Sequence, residues 1–282
     1  MGGSQVSKLQ GKVAFVTGAA RGQGRSHAVR LAEDGADVVA VDVCADTTTV
    51  PYPLGTADEL AETAALVEKA GRRCVTATAD VRSLDELGRA VDLAKEAFGH
   101  IDILVANAGI WSLSTDSWSL DEETWQTMID VNLTGQWKTA KAVVPTMIEQ
   151  GTGGAITVTS SSIGLKATTG NVHYTTAKHG VIGLVRTLAH ELAPYRIRVN
   201  AICPTAVGTT MIKNDALYAL FRPDLGSPSL SDAEPGLAAL NLLDVSLIEP
   251  GDVSAAISWL VSDDARYVTG IALPVDAGST VK

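Results

Sequence analysis

Tyr174 and Lys178 are four residues apart, and Ser161 precedes Tyr174 by thirteen residues. On a helix, positions i and i+4 share one face with Cβ atoms about 6 Å apart, so the Lys178 ammonium would lie beside the Tyr174 phenol. A cation there favours the phenolate, and we expect it to lower the pKa of Tyr174 from about 10 toward neutrality. Tyr174 could then act as a general base while Ser161 holds a substrate oxygen. An isolated pair of this kind could equally be an exposed helical pair, so the rest of the chain must decide.

The N-terminal part of the chain combines a strand pattern, a glycine-rich turn and a helix pattern. Residues 12–16 are a short apolar run that leads directly into Thr17-Gly-Ala-Ala-Arg-Gly-Gln-Gly24, and apolar residues at helical spacing follow. Such a turn exposes backbone N–H groups at a helix N-terminus, where a pyrophosphate can bind. Gly18, Gly22 and Gly24 keep side chains away from the ligand and from the packed helix.

The second predicted strand, residues 38–42, ends in a carboxylate. Asp42 lies twenty-four residues after Gly18, close to the spacing of the acid that binds an adenosine ribose. It can accept hydrogen bonds from two ribose hydroxyls but repels a 2′-phosphate, which favours NAD over NADP. Arg21 in the turn would favour NADP if its guanidinium binds that phosphate. The alternative is that Arg21 is a solvated cation of the loop. We give Asp42 the greater weight.

These residues and two further matches follow the order of a known family. With the Asn-Ala-Gly run at 107–109 and with Asn132, the chain resembles the classical short-chain dehydrogenase/reductases over nearly its whole length. The resemblance implies that Asn132, Ser161, Tyr174 and Lys178 are catalytic. It also implies dinucleotide contacts from Gly18, Arg21, Gly22, Gln23, Gly24, Asp42, Asp80, Val81, Asn107, Ala108, Gly109, Tyr174, Lys178, Pro204, Val207 and Thr209.

Individual roles also follow from the resemblance. It implies that Asp80 and Val81 flank the adenine ring and that residues 107–109 form the floor beneath the cofactor. It further implies that Asn132 holds a water that relays protons from the lysine, and that Thr209 contacts the nicotinamide amide. Where the family usually has Pro-Gly, this chain has Pro204-Thr205, which puts close backbone approach to the nicotinamide in doubt.

The loop after Asp42 is lengthened by residues 44–56. Together with the runs that begin at residues 60, 71 and 178 and the Pro204-Thr205 pair, it resembles an actinobacterial subgroup that includes carveol dehydrogenases. That subgroup is associated with mycofactocin and is thought to hold NAD so tightly that an external carrier must reoxidise it. We expect the loop to fold over the adenosine and so retain NAD. The alternative is an exposed insertion without cofactor contact.

Strand and helix patterns alternate throughout the 282 residues, of which 46% are hydrophobic. We predict one domain, residues 1–282, with an α/β fold: a Rossmann-type, doubly wound parallel sheet of about seven strands covered by helices on both faces. One helix should open at Ser83 and another should run from about His173 to Pro194. The strands are predicted near residues 12–16, 38–42, 73–78, 102–106, 154–159, 197–202 and 271–275.

Residues 205–250 interrupt the alternation and occupy the family position of a substrate lid. Apolar lid residues could close over the nicotinamide opposite Trp111, which would indicate an apolar substrate. They could equally fasten the lid to the sheet or bury a subunit contact. The lid residues concerned are Met211, Leu217, Tyr218, Leu220 and Phe221.

Composition excludes several classes of function. The formal net charge of −10 argues against a nucleic-acid partner. Residues 1–11 lack the apolar core of a signal peptide and no apolar run approaches about 20 residues, so we expect a cytoplasmic protein without a membrane partner. The three cysteines and five histidines show no metal-ligand spacing, and we predict no metal site. The family resemblance implies a homotetramer.

The predicted activity is NAD-dependent oxidation of a secondary alcohol to a ketone, reversible in principle, on a small and apolar, carveol-like substrate. Arg21 leaves open an NADPH-dependent carbonyl or 3-ketoacyl reductase. A third alternative is a nucleotide-sensing module that has lost its chemistry, although such proteins usually lose the tyrosine or the lysine.

Overall fold

A seven-stranded, fully parallel sheet forms the centre of the protein, with strand order β3-β2-β1-β4-β5-β6-β7. The computed structural model describes residues 7–114 and 116–282. The predicted Rossmann-type sheet is confirmed, and each strand lies within about one or two residues of its predicted position. The strands are β1 (Val13–Thr17), β2 (Asp37–Asp42), β3 (Cys74–Thr78), β4 (Ile103–Ala106), β5 (Gly154–Thr159), β6 (Ile197–Pro204) and β7 (Ala272–Val275).

Helices cover both faces of the sheet, as predicted. Helices α1, α2 and α9 pack on one face and α3, α5 and α6 on the other, so the central strands are apolar on both sides. Alternate residues of β1 show this directly. Ala14 belongs to the apolar cluster on the face of α1, α2 and α9, and Phe15 belongs to the cluster on the face of α3, α5 and α6. The helices are α1 (Gly22–Glu33), α2 (Ala57–Lys69), α3 (Leu84–Phe98), α4 (Glu122–Ile129), α5 (Gly135–Gln150), α6 (Val172–Leu192), α7 (Asp215–Phe221), α8 (Leu230–Ala238) and α9 (Pro250–Val261).

The two helix boundaries expected from sequence are close to those observed. Ser83 caps α3, since its side chain accepts a hydrogen bond from the Glu86 N–H. The Glu86 carboxylate does not complete a capping box but instead accepts from the backbone N–H of Asp80 at 2.8 Å. Helix α6 ends at Leu192, and a 3₁₀ turn containing Pro194 follows, because proline lacks the N–H that would continue the helix.

The segment from residue 205 to residue 250 lies beside the carboxyl ends of the strands and contains two short helices, α7 and α8. A parallel bridge between Val207 and Ile248 joins its two ends. Within the described ranges, none of the helices combines the length and apolarity needed to cross a bilayer. The single-domain boundary and the cytoplasmic location remain predictions.

Candidate active site

A cleft of about 540 Å³ opens at the carboxyl ends of the strands. The strand order reverses between β1 and β4, and ligands of open parallel sheets bind at such a switch point. The cleft brings together the predicted catalytic and cofactor-binding residues with one exception. Asn132 is fully buried behind the cleft wall.

The glycine-rich turn after β1 has the shape needed to hold a pyrophosphate. Gly22 has φ +57°, a left-handed conformation that glycine adopts without strain. At Gly24 an added Cβ would lie 1.9 Å from the carbonyl oxygen of Gly18, so only glycine fits. No side chain caps the N-terminus of α1, so no capping side chain occupies the N–H groups of its first turn. These features leave donors of the first helical turn facing the cleft, where an anion is favoured.

Asp42 lies at the end of β2 on the wall of the cleft. Its carboxylate accepts hydrogen bonds from the backbone N–H groups of Ala20, at 2.9 Å, and Cys44, at 3.1 Å. These bonds fix the carboxylate beside the glycine turn, where it fits an adenosine ribose. The Arg21 guanidinium donates a hydrogen bond to the Pro53 carbonyl, so the cation that favoured a 2′-phosphate is engaged by the loop after β2.

Asp80 and Val81 form the wall of the cleft beyond β3. Burial alone would raise the pKa of Asp80, but hydrogen bonds from Arg82 outweigh it and hold that pKa below its usual range. The guanidinium of Arg82 lies 2.6 Å from an Asp80 carboxylate oxygen. Val81 is buried against Gly135, where an added Cβ would meet the valine methyl at 2.6 Å. Both side chains are therefore held in place before any ligand binds.

The Asn-Ala-Gly run is fastened to the end of β1. The backbone N–H groups of Asn107 and Ala108 donate to the Thr17 hydroxyl at 3.0 and 3.1 Å, and the Asn107 side chain donates to the Thr17 carbonyl at 3.1 Å. This anchoring fixes the run where it lines the cleft, as expected for a cofactor floor. Its function as that floor remains a prediction.

Tyr174, Lys178 and Ser161 meet at the inner end of the cleft. The Lys178 Nζ lies 5.5 Å from the centre of the Tyr174 ring, as the i, i+4 spacing on α6 predicts. That ammonium donates a hydrogen bond to the Thr159 carbonyl at 2.9 Å. Ser161 follows the end of β5 by two residues, and an interaction of its side chain with Tyr174 lowers the pKa of that phenol. One helix and one strand end therefore supply the three groups.

The predicted lowering of the pKa of Tyr174 is wrong for the protein without a bound cofactor. Burial around the hydroxyl raises the pKa of Tyr174 to about 12, and the interaction with Ser161 only partly opposes that change. Burial also lowers the pKa of Lys178 to about 8. Removing both groups from water opposes their charged forms and outweighs the attraction of the lysine that the spacing indicates.

Asn132 lies in a π-helical turn, Asp130–Thr134, between α4 and α5. Its side-chain amide pairs with the Ile110 backbone, accepting from the N–H and donating to the carbonyl, both at 2.8 Å. Gly109 separates Asn132 from Lys178, since an added Cβ there would meet the Asn132 oxygen at 3.2 Å and the lysine Nζ at 3.6 Å. Asn132 therefore shapes the floor from behind, and its part in a water relay remains a prediction.

The substrate end of the cleft is apolar. Four of the five predicted lid residues line it, whereas Tyr218 packs in the same apolar cluster without reaching the cleft. Trp111 faces them and is 6% exposed. The Pro204-Thr205 departure has a structural role, because the Thr205 hydroxyl donates to the side-chain oxygen of Asn241 at 3.1 Å. A glycine would lack this link between β6 and the lid.

The loop at residues 44–56 also lines the cleft, through Thr47, Tyr52, Leu54 and Gly55. Of these, Tyr52 is a wall residue that the sequence interpretation missed. The available signal was a single aromatic residue between two prolines in a mostly polar loop. The loop therefore covers part of the cleft, and its contact with a cofactor remains a prediction.

The parallel sheet and the site at its switch point define a Rossmann-type dinucleotide-binding protein. A model of the short chain dehydrogenase family matches residues 12–217, and the chain belongs to that family.

Named relatives cover almost the whole chain. (−)-trans-Carveol dehydrogenase of Rhodococcus erythropolis is 52% identical over 98% of this chain and 100% of its own length. The crystal structure of carveol dehydrogenase from Mycobacterium avium in complex with NAD is 51% identical, with a TM-score of 0.97 over 98% of this chain and 100% of that one. A short chain dehydrogenase from Mycobacterium paratuberculosis bound to NAD is 42% identical, with a TM-score of 0.89 over the same shares. The expected similarity to carveol dehydrogenases is confirmed.

Proposed function

We propose that this protein oxidises a secondary alcohol to a ketone with NAD, in a reaction that is reversible in principle. The observation that carries this proposal is the meeting of Tyr174, Lys178 and Ser161 on the cleft that also contains the glycine turn and Asp42. A phenol, an ammonium and a hydroxyl at the inner end of a dinucleotide site are the groups that alcohol oxidation requires.

The residues around the cleft fit NAD. The first turn of α1 would bind the pyrophosphate, Asp42 the adenosine ribose, and the wall at Asp80 and Val81 the adenine. Lys178 would bind the nicotinamide ribose. When bound, NAD⁺ would supply the hydride acceptor and a positive charge. NAD-bound relatives with TM-scores of 0.97 and 0.89 support this choice.

Tyr174 takes the proton of the alcohol in this proposal. Its pKa of about 12 means that the phenolate must be stabilised in the loaded enzyme. Lys178 contributes to that stabilisation as a cation, and below its own pKa of about 8 it is largely charged. Ser161 positions the alcohol oxygen by hydrogen bonding, and Asn132 supports the proton relay. The protein thus contributes geometry and electrostatics, and the cofactor accepts the hydride.

The substrate we propose is a small apolar alcohol. The lid and Trp111 give the cleft an apolar wall, which removes apolar surface of a ligand from water. The names of the carveol dehydrogenases support an alcohol of that kind. The engagement of Arg21 by the Pro53 carbonyl leaves no observation that favours the NADPH-dependent reductase.

We also propose that NAD leaves this cleft slowly and is reoxidised in place by an external carrier such as mycofactocin. The support is the loop at residues 44–56, which lines the cleft beside Asp42. A homotetramer remains part of the proposal through the family resemblance.

Two measurements test this function. Native mass spectrometry after extensive dialysis is expected to show one NAD per chain. A panel of secondary alcohols is then added without free NAD, and absorbance at 340 nm should rise in a single turnover and recover when an artificial electron acceptor is supplied. Bound dinucleotide without reduction by any alcohol would indicate the nucleotide-sensing module instead. Rapidly exchanging NAD would contradict retention but leave the oxidation intact.

A further inference from the structure

Tyr52 lies on the wall of the cleft although it belongs to the loop after β2. Its side chain is 7% exposed and packs in one apolar cluster with Trp111, Leu217 and Leu237. Its hydroxyl accepts a hydrogen bond from the Trp111 backbone N–H at 2.9 Å. The loop after β2 therefore supplies an aromatic ring to the same wall as the segment after β4 and the lid.

The same loop is attached to the dinucleotide side of the cleft. The Pro53 carbonyl accepts from Arg21 of the glycine turn. At Gly55 an added Cβ would lie 2.7 Å from the Ala20 Cβ and 3.2 Å from an Asp42 carboxylate oxygen. Within the loop, the Leu54 N–H donates to the Asp46 carboxylate at 2.7 Å. Contacts made by loop residues before and after Tyr52 in the chain therefore fix the position of its ring.

The sequence around this ring restricts its freedom. Tyr52 stands between Pro51 and Pro53, and a residue that precedes proline is restricted to extended backbone conformations. Proline also reduces the conformational entropy that the unfolded loop loses on ordering. A wall residue held in this way has a defined position, which is what discrimination between substrates of different shape requires.

The Tyr52 oxygen and the Trp111 indole N–H each have a hydrogen-bond partner within the protein. The Tyr52 oxygen accepts from Trp111, and the Trp111 indole N–H donates to the Asn171 side chain at 2.9 Å. The two aromatic residues therefore contribute mainly apolar ring surface to the cleft. Such a wall is complementary to an alicyclic or aromatic group and offers little to a short, open-chain alcohol.

We propose that Tyr52 is a specificity-determining residue that sets the size of the substrate chamber for secondary alcohols with a bulky apolar ring. The inference rests on the proposed function and adds to it a residue and a substrate shape. If Tyr52 has this role, the size of the substrate chamber depends on the same loop that covers the dinucleotide side of the cleft. A change at Tyr52 should therefore alter the choice among alcohols without altering the chemical step.

The test compares Tyr52→Ala and Tyr52→Phe with the parent enzyme on ring alcohols that run in size from cyclopentanol to borneol. Removing the ring enlarges the chamber, and differences of methylene size in an apolar pocket are worth about tenfold or more in kcat/KM. For Tyr52→Ala we expect the KM for the smallest accepted ring to rise about tenfold, and the kcat/KM ratio of the largest to the smallest to rise by a similar factor. The kcat should stay within about threefold of the parent.

Tyr52→Phe keeps the ring and loses only the acceptor for Trp111, so it should restore most of the parent preference. Thr48→Ala is the control, because Thr48 belongs to the same loop and is exposed. It should leave the preference unchanged. An equal fall for every alcohol in Tyr52→Ala, or an effect confined to the KM for NAD, would overturn the proposal.

A binding measurement separates this inference from the proposed function. Calorimetric titration of cyclopentanone and camphor into protein loaded with NAD⁺ gives the same size comparison without turnover, because neither the ketone nor NAD⁺ carries a hydride to transfer. If no alcohol is oxidised but Tyr52→Ala changes the relative affinity for the two ketones about tenfold, the function is wrong and the wall assignment holds. If oxidation is normal and neither preference responds to Tyr52→Ala, the wall assignment is wrong and the function holds. Absence of ketone binding to the parent would also overturn the wall assignment.

Discussion

The Nζ atom of Lys178 lies 5.5 Å from the centre of the Tyr174 ring while donating a hydrogen bond to the Thr159 carbonyl. The lysine is thus held by the end of β5, with its ammonium near the phenol ring. In the proposed mechanism this cation stabilises the phenolate through space, without a hydrogen bond to the phenol oxygen.

Replacing Lys178 by methionine keeps the length of the side chain and removes the cation. We expect kcat/KM for alcohol oxidation to fall by about 10² to 10⁴, the usual range for loss of a group that supports proton transfer. Steady-state kinetics across pH should show that the remaining activity requires a higher pH. Lys69→Met, at an exposed position of α2, is the control. A parent-like pH profile in Lys178→Met would contradict the role of the charge.

Asp42→Asn tests cofactor choice. The amide keeps an acceptor for the Ala20 N–H but removes the negative charge that repels a 2′-phosphate. We expect the preference for NAD over NADP, measured as a ratio of kcat/KM values, to fall by roughly tenfold, a factor typical of one charge interaction near a protein surface. Asp58→Asn, exposed on α2, should leave the ratio unchanged. An unchanged ratio of kcat/KM values in Asp42→Asn would show that another residue determines the preference for NAD.

Gly24→Ala tests the close packing of the glycine turn. The new methyl group would lie 1.9 Å from the Gly18 carbonyl oxygen, so the turn must move, at a cost of about 1–3 kcal/mol or more in the free energy of unfolding. Dinucleotide binding should weaken with it. Gly88→Ala in α3 is the matched control, because no atom lies within 4 Å of its added Cβ. Chemical denaturation should show that variant to be more stable by about 0.5–1 kcal/mol.

The sequence contained most of the fold and most of the site. Strands that are buried on both faces are short apolar runs, so local patterns predict them. Tyr174 and Lys178 are neighbours on any helix because of their spacing, so their proximity is also predicted from the local sequence. Tyr52 was missed because the path of its loop depends on contacts with Arg21 and Trp111, which are distant in the chain. The direction of the pKa change at Tyr174 was also missed, since burial is a property of the folded protein.

The burial of His27 leads us to expect that the stability of the protein depends on pH. It is fully buried between α1 and α9, beside the Ser254 hydroxyl at 2.8 Å, and burial lowers its pKa to about 3. In the unfolded chain, histidine takes up a proton near pH 6.5 whereas the folded protein does not. The stabilisation is therefore complete above about pH 6.5 and is lost as the pH falls toward 3.

From pH 7.5 to pH 5 this one residue should lower the free energy of unfolding by roughly 2 kcal/mol. Urea denaturation at both pH values measures the change. His27→Asn is expected to remove most of that dependence, and the same substitution at the exposed His179 is the comparison. An identical pH dependence in His27→Asn and the parent would show that His27 does not contribute it.

Tyr174→Phe tests the central claim most directly, because it removes one oxygen and leaves the ring. The measurement is NADH formation at 340 nm on addition of alcohol, together with native mass spectrometry of bound NAD. Tyr218→Phe, in the same apolar cluster but outside the cleft, is the matched control. The proposal predicts that Tyr174→Phe binds NAD normally and oxidises alcohol about 10² to 10⁴ times more slowly. Near-normal oxidation of every alcohol that the parent enzyme accepts would contradict it.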